Sequence, residues 1–472
     1  MSSSYGAFRD QLSSKLDLVL TCIDGERFSG EEKDLVISQP PPYSSSSDLD
    51  RSKSPTRPTT RPSTSSGASA LTNHFAKVWL YSNSRLPPYL PPFKVYLPTW
   101  PLLCLAAKSS EAAYSRPGGT EESSDYIPAN IRTGTKAMVV KSLSNDDTNT
   151  IVLAIRGSQT FSDWAVNYRS APVAPDGFLD DDGNLCHCGF LSVARSMILP
   201  ITERLRQLLS NHPSRAHCFS LLITGHSAGG AVAQLLYAHM LSTRNNVSSE
   251  LKDMTGFFRH VHCVTFGAPP VSLLPLRKPG VTVDRHGVEK ESRESRKSLF
   301  FSFVNEGDPV ARADKAVVAS LLKLYASPPP GSSCATFNSK ISALSSMTNL
   351  ASTAAKPSKW SRRPKTEKPS SWPGASSSTS TASSVALPKW STPPGALSLA
   401  GKIIVLRERR KPSAKTTKHR NVVLNGSEDV EALLVDDSML REMVFGDPVV
   451  HMMKLYRTRI EELATRAVMG GH

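Results

Sequence analysis

The stretch from Phe219 to Leu236, FSLLITGHSAGGAVAQLL, constrains the fold more than any other part of the chain. An apolar run suited to a strand, Phe219 to Ile223, meets Gly225-His226-Ser227-Ala228-Gly229, and a small-residue helical run, Gly229 to Leu241, follows at once. Strand, abrupt turn and helix in that order require a layered α/β arrangement, because the turn must carry the chain from the sheet into a covering helix. The glycines on either side of Ser227 let strand and helix backbones approach without a clashing Cβ. The flanking sequence agrees. Strands are expected at Ala137–Leu143, Thr150–Ile155, His262–Phe266, Leu299–Val304 and Leu399–Leu406. Helices are expected at Leu102–Tyr114, Phe190–Leu209 and Pro448–Ala467, the last with an apolar stripe of Val449, Met453, Tyr456, Ile460 and Leu463. The fold class is therefore α/β, with a central, mostly parallel sheet flanked by helices.

Composition sets the limits of that domain. Residues 1–70 are rich in Ser and Pro and read as a disordered N-terminal tail. Residues 326–396 are rich in Ser, Pro, Thr and Ala and read as a low-complexity insertion, so that the domain comprises 71–325 and 397–468. The net charge of +15 favours anionic partners, and the basic run Arg407–Arg420 reads as a solvated segment. Seven scattered cysteines fit a reducing compartment better than a disulfide framework. Cys186-His187-Cys188 lacks a second ligand pair at zinc spacing, so no metal is expected there. Met1 to Leu20 carries no apolar signal core, and Val95–Ala107 is too short, and too broken by Pro98 and Pro101, to span a bilayer. The default location is cytoplasmic, with peripheral contact at membranes.

The turn also suggests chemistry. A serine on a sharp strand-to-helix turn presents its hydroxyl above the sheet, and the helix behind it points unpaired N–H groups at any oxyanion formed there. Ser227 is thus a candidate nucleophile. The strand Ile151–Ile155 ends in Arg156-Gly157-Ser158, and the N–H of Ser158 paired with that of Ala228 would make an oxyanion hole. An ordinary Gly-rich turn and an ordinary strand end are the plainer readings of the same residues.

Five blocks in order, IVLAIRGSQTFSDW, CHCGF, ITGHSAGG, VTFGAPPV and FVNEGDPV, resemble the class 3 lipase family, the fungal triacylglycerol lipases and their diacylglycerol lipase relatives. The resemblance implies an α/β-hydrolase fold and a Ser-His-Asp triad. It places the acid at Asp308, with Asp284, Glu306 and Asp314 left as surface residues. Such chains run Ser, acid, His, and only His419, His451 and His472 come after Asp308. His419 lies in a basic loop and His472 ends the sequence. His451, in a segment that Asp447 can cap and Pro448 can open, is therefore the expected base, against a plain helix-surface histidine. The family usually has Leu at the position of Ala228, and the long gap between Asp308 and His451 puts the insertion between acid and base, as in diacylglycerol lipases. The resemblance also makes Phe161, Trp164 and Val166 lid candidates, although Trp164 reads equally as a packing residue.

Together these residues imply a serine hydrolase for carboxylic esters of lipids, mono-, di- or triacylglycerols, with no metal or organic cofactor. A phospholipase or short-chain esterase with the same triad, or a catalytically weak lipid-binding scaffold, are the alternatives. Substrate aside, Trp360, Trp372 and Trp390 among lysines and arginines could grip a membrane or lipid-droplet surface or serve as short motifs for a partner protein, and a flexible linker is the plainer reading of the same stretch; no nucleic-acid partner is expected.

Overall fold

The computed structural model describes residues 2–24, 28, 32–38, 71–115, 125–130, 136–143, 149–157, 171–181, 183–211, 218–243, 246–278, 281–283, 289–291, 297–330, 387–409 and 429–470. Residues 1–327 and 389–472 make one compact unit, and 328–388 a second. The first unit is built on an eight-stranded sheet. Its strands are β3 (Tyr126–Ile127), β4 (Met138–Leu143), β5 (Thr150–Ile155), β6 (Ser220–His226), β7 (His260–Phe266), β10 (Phe300–Asn305), β11 (Lys402–Glu408) and β12 (Val430–Leu434). They lie in the order β12-β11-β10-β7-β6-β5-β4-β3. The pairs β5·β6, β6·β7, β7·β10 and β10·β11 are parallel, and the outer pairs β3·β4, β4·β5 and β11·β12 are antiparallel. Two small antiparallel pairs, β1 (Val36–Ser38) with β2 (Leu71–Asn73) and β8 (Val281–Val283) with β9 (Glu289–Glu291), stand apart.

The parallel strands are largely apolar because both faces are covered. Ile151, Leu153 and Ile155 of β5 enter the core under helices α3 (Cys188–Ser210) and α4 (Ala228–Met240). Val152 and Ala154, pointing the other way, pack with α2 (Trp100–Ala112) and α6 (Met453–Val468). The fold is the α/β-hydrolase arrangement that the sequence led us to expect.

Several expectations need correction. The N-terminal segment, read as a disordered tail, contains helix α1 (Ser2–Cys22). Leu12, Leu16, Val19, Leu20 and Ile23 are buried in the main core, followed by Leu35 and Ile37. Their spacing is helical, a narrow stripe in an otherwise polar stretch. Helix α1 lies against α5 (Lys315–Ala326) and against the turn that carries His451. At the far border of the expected insertion, Trp390 packs edge-on to Tyr81, and its indole donates to Ser320 Oγ at 3.0 Å. Trp360 and Trp372 lie outside the described residues.

Arg407, assigned to a solvated run, is buried, donating to Glu431 at 2.6 Å and to the carbonyls of Pro87 and Pro88. It still belongs to β11, whose antiparallel partner brings Glu431 beside it. Glu306, read as surface, is buried and accepts from the N–H of Leu86 at 2.8 Å. Finally, Pro448 to Ala467 is not one helix. A 3-10 turn, Pro448–His451, ends at Met452, whose extended backbone (φ −55, ψ 129) separates it from α6.

Candidate active site

Ser227 sits between β6 and α4 with φ 55 and ψ −134, a left-handed backbone that a side chain adopts only under constraint. The constraint is the packing of helix onto strand. A Cβ on Gly229 would collide with the carbonyl oxygen of Ile155, so a residue with any side chain would push α4 off the sheet. Ser227 donates its own N–H to Phe266 O at 3.0 Å, which ties the turn to β7. Ala228 opens α4, where helix geometry leaves the first N–H groups without intrahelical partners.

The end of β5 reaches the same place. A Cβ built on Gly157 would lie 3.3 Å from Ser227 Cβ. Ser158, Phe161, Trp164 and Val166 lie outside the described residues.

Asp308 follows β10 through the turn at Gly307 and is fully buried. Its Oδ2 accepts from His451 Nδ1 at 2.8 Å and from the Tyr456 hydroxyl at 2.6 Å, and its Oδ1 accepts from Val310 N–H at 2.8 Å. Since an ionised carboxylate only accepts, these contacts put the His451 proton on Nδ1 and leave Nε2 as the basic nitrogen. Gly267, at φ 53, clears room for the pair. A Cβ there would come within 2.8 Å of Asp308 Oδ2 and 2.9 Å of His451 Nδ1. Among the described residues no hydrogen bond joins Ser227 Oγ to the His451 ring, so what stands assembled is the acid–histidine half of a relay.

The acid has buried support of its own. Tyr456 Oη accepts from Asn305 N–H at 2.8 Å. Asn305 donates from Nδ2 to Val450 O at 2.7 Å and accepts from Arg459 at 2.8 Å. Burial, reinforced by the neighbouring Asp308 charge, pushes the Tyr456 hydroxyl well above its ordinary pKa, so it stays a proton donor. The sequence offered Tyr456 only as part of an apolar stripe and Asn305 only as part of a motif.

Residues 152–317 match the family model described as lipase (class 3). Over that stretch the chain is similar to a class 3 lipase domain. Its chemistry is therefore that of a carboxylic ester hydrolase of the lipase type.

Among solved structures, this lipase domain is similar to a triacylglycerol lipase from Penicillium expansum, at 17% identity over 45% of this chain and 72% of that one, with a TM-score of 0.30. A Rhizomucor miehei lipase propeptide complex matches at 18% identity over 50% and 75%, with a TM-score of 0.30. The Lip2 lipase of Yarrowia lipolytica matches at 17% over 48% and 78%, with a TM-score of 0.33. No curated protein matches the chain.

One more histidine of the lipase domain lies at the site. The ring of His226, the residue before Ser227, has its centroid 4.4 Å from that of His451. Its Nδ1 is 3.0 Å from Asp24 Oδ2 and 2.8 Å from Tyr114 Oη. Asp24 and Tyr114 had no signal in the sequence, because both reach the site only through tertiary packing.

Proposed function

We propose that Ser227, His451 and Asp308 are the catalytic triad of an enzyme that hydrolyses acyl esters of glycerol lipids. His451 Nε2 takes the Ser227 proton as Oγ attacks the ester carbonyl. Negative charge gathers on the carbonyl oxygen, where the N–H groups of Ala228 and Ser158 hold it, a contribution of roughly 3–4 kcal/mol per well-placed donor. His451 then protonates the departing alcohol, and water, activated by the same imidazole, releases the acid from the acyl-enzyme. Asp308 keeps the imidazole oriented and stabilises its charged form.

The observation that carries this reading is the 2.8 Å contact of Asp308 with His451 Nδ1, with both groups buried beside the strained turn of Ser227. We take mono-, di- and triacylglycerols as the substrates, presented at a lipid surface, with Phe161, Trp164 and Val166 as candidates for the covering lid. The free state of the described cysteines supports action in a reducing compartment. Among the described residues no helix is long and apolar enough to cross a membrane.

Hydrolysis of dispersed diacylglycerol and triacylglycerol, phospholipid vesicles and a chain-length series of p-nitrophenyl esters tests the assignment. The expected result is turnover of acylglycerol that is absent in Ser227→Ala. Preferred turnover of phospholipid or of short soluble esters would reassign the substrate. Failure of folded wild type on every ester would remove the catalytic reading in favour of lipid binding.

A further inference from the structure

His226 and Asp24 are not used by the reaction above, yet they are buried against its base. The Asp24 side chain is only 10% exposed and that of His226 is wholly enclosed. A carboxylate is kept in such a place only when each oxygen is satisfied. Asp24 Oδ1 accepts from the N–H of Met453 at 2.7 Å. Met453 is the first residue of α6, and the residue before it, Met452, offers that helix no side-chain cap. Asp24 therefore caps α6 from the other end of the chain, where the helix dipole favours a negative charge.

Asp24 Oδ2 faces His226 Nδ1, and His226 Nε2 lies 2.8 Å from the main-chain oxygen of His451. A carbonyl oxygen can only accept, so Nε2 carries a proton, and Nδ1 carries the other when the ring is charged. Burial by itself pushes His226 towards the neutral form. The Asp24 charge and hydrogen bond outweigh it, helped by Asp308, and leave the ring above the ordinary imidazole value. Burial likewise opposes ionisation of Asp24, and His226 overcomes it, so the carboxyl lies below its ordinary value.

The two contacts fall on either side of one short piece of backbone. Through His226, Asp24 holds the carbonyl of His451, and directly it holds the N–H of Met453. Between them is Met452, where the chain breaks from 3-10 turn to α-helix. Such a junction is free to pivot unless its polar groups are fixed from outside. The anchoring carboxylate is itself fixed, because α1 buries Leu12, Leu16, Val19, Leu20 and Ile23 beside Val449, Val450 and Met452.

We infer that Asp24 is a positioning residue for His451, acting through His226 to clamp the backbone that carries the catalytic base. The inference rests on the triad reading of Ser227, His451 and Asp308. It makes the N-terminal arm, which lies outside the stretch matched by the lipase family, part of the working enzyme.

The test uses the full chain. First, wild type, Ser227→Ala, Asp308→Asn and His451→Ala are treated with a fluorophosphonate; no labelling in the first variant and slowed labelling in the other two establish the triad reading independently of Asp24. Then Asp24→Asn, His226→Gln and the double variant are compared for kcat, KM and melting temperature. Asparagine keeps the acceptor for Met453 but loses the charge that holds His226. A misplaced base acts on the chemical step, so kcat should fall about ten- to a hundredfold with KM changed less than about twofold. Because Asp24 acts through His226, the double variant should be no worse than the poorer single variant. Asp24→Glu, which can restore the charge, should recover part of the loss.

An unchanged kcat in Asp24→Asn, with or without a lower melting temperature, overturns the proposal and leaves Asp24 a fold anchor. Multiplying losses in the double variant also overturn it, since Asp24 would then act by another route. Should Asp24→Asn fail to fold, His226→Gln alone decides, by a fall in kcat at constant KM or its absence.

Discussion

His451 and His226 lie almost ring against ring, and each has a carboxylate at Nδ1: Asp308 at 2.8 Å for one and Asp24 at 3.0 Å for the other. Their roles differ because of the second nitrogen. His226 commits Nε2 to the carbonyl of His451 and turns Nδ1 to Asp24 and Tyr114, so neither nitrogen is left for a substrate. His451 has Nδ1 fixed by Asp308, and its Nε2 is the nitrogen left to act as a base. An acid–histidine pair is thus not in itself a catalytic device. What the far nitrogen touches decides whether the pair moves a proton or holds a backbone in place. The acids also differ in origin, since Asp308 sits on the turn after a central strand, whereas Asp24 arrives on an arm from outside the sheet.

The two pairs should part most widely when the first is disabled. Asp308→Asn would face His451 Nδ1 with an amide N–H and favour the wrong tautomer. We expect kcat to fall by about 10⁴-fold with the fold retained, as judged by circular dichroism. A loss of less than tenfold would mean that the pair does not serve a base. On the arm, Leu16→Ala removes a buried side chain from the shared core and should cost roughly 2–5 kcal/mol in denaturant unfolding. No change there would show that α1 is not part of the domain.

Tyr456→Phe separates the pairs further, because the hydroxyl serves only the Asp308 side. Its loss leaves Asn305 N–H unpaired and Asp308 short of a donor, and should cost about 1–3 kcal/mol of stability together with a measurable fall in kcat. The smallest effect concerns pH. The His226 pKa is raised on folding, so its contribution is complete below the unfolded value near 6.5 and is lost as pH rises through the higher folded value. The Asp24 pKa is lowered, so its contribution is present above about 3.8 and is lost as pH falls through the lower folded value. The melting temperature of wild type should therefore decline above pH 6.5 more than that of Asp24→Asn. Parallel curves would uncouple the pair.

Much of the sheet could be read from sequence because its cues are local. Thr150–Ile155 and Phe219–Ile223 are apolar runs of strand length, and the glycines at Ser227 mark a turn without reference to anything distant. The proposed acid Asp308 and the proposed base His451 were legible only by resemblance and chain order, since nothing near either residue announces a proton relay. The arm escaped notice because its stripe is narrow and its surroundings polar, so composition outweighed periodicity. Asp24 had no signal whatever; its partners His226 and Met453 are hundreds of residues away in sequence and become neighbours only once α6 lies under the sheet. Glu306 and Arg407 were misjudged for the same reason, since a charged residue reads as solvated until a partner from another element, here the Leu86 N–H or Glu431, is brought to it.

Whether Ser227 is the nucleophile served by His451 and Asp308 is answered by intact-protein and peptide mass spectrometry after treatment with a fluorophosphonate. The expected result is one stoichiometric adduct on Ser227, none in Ser227→Ala, and labelling slowed by orders of magnitude in Asp308→Asn and His451→Ala. An adduct on another residue, or equal labelling rates in folded Asp308→Asn and His451→Ala, would contradict it.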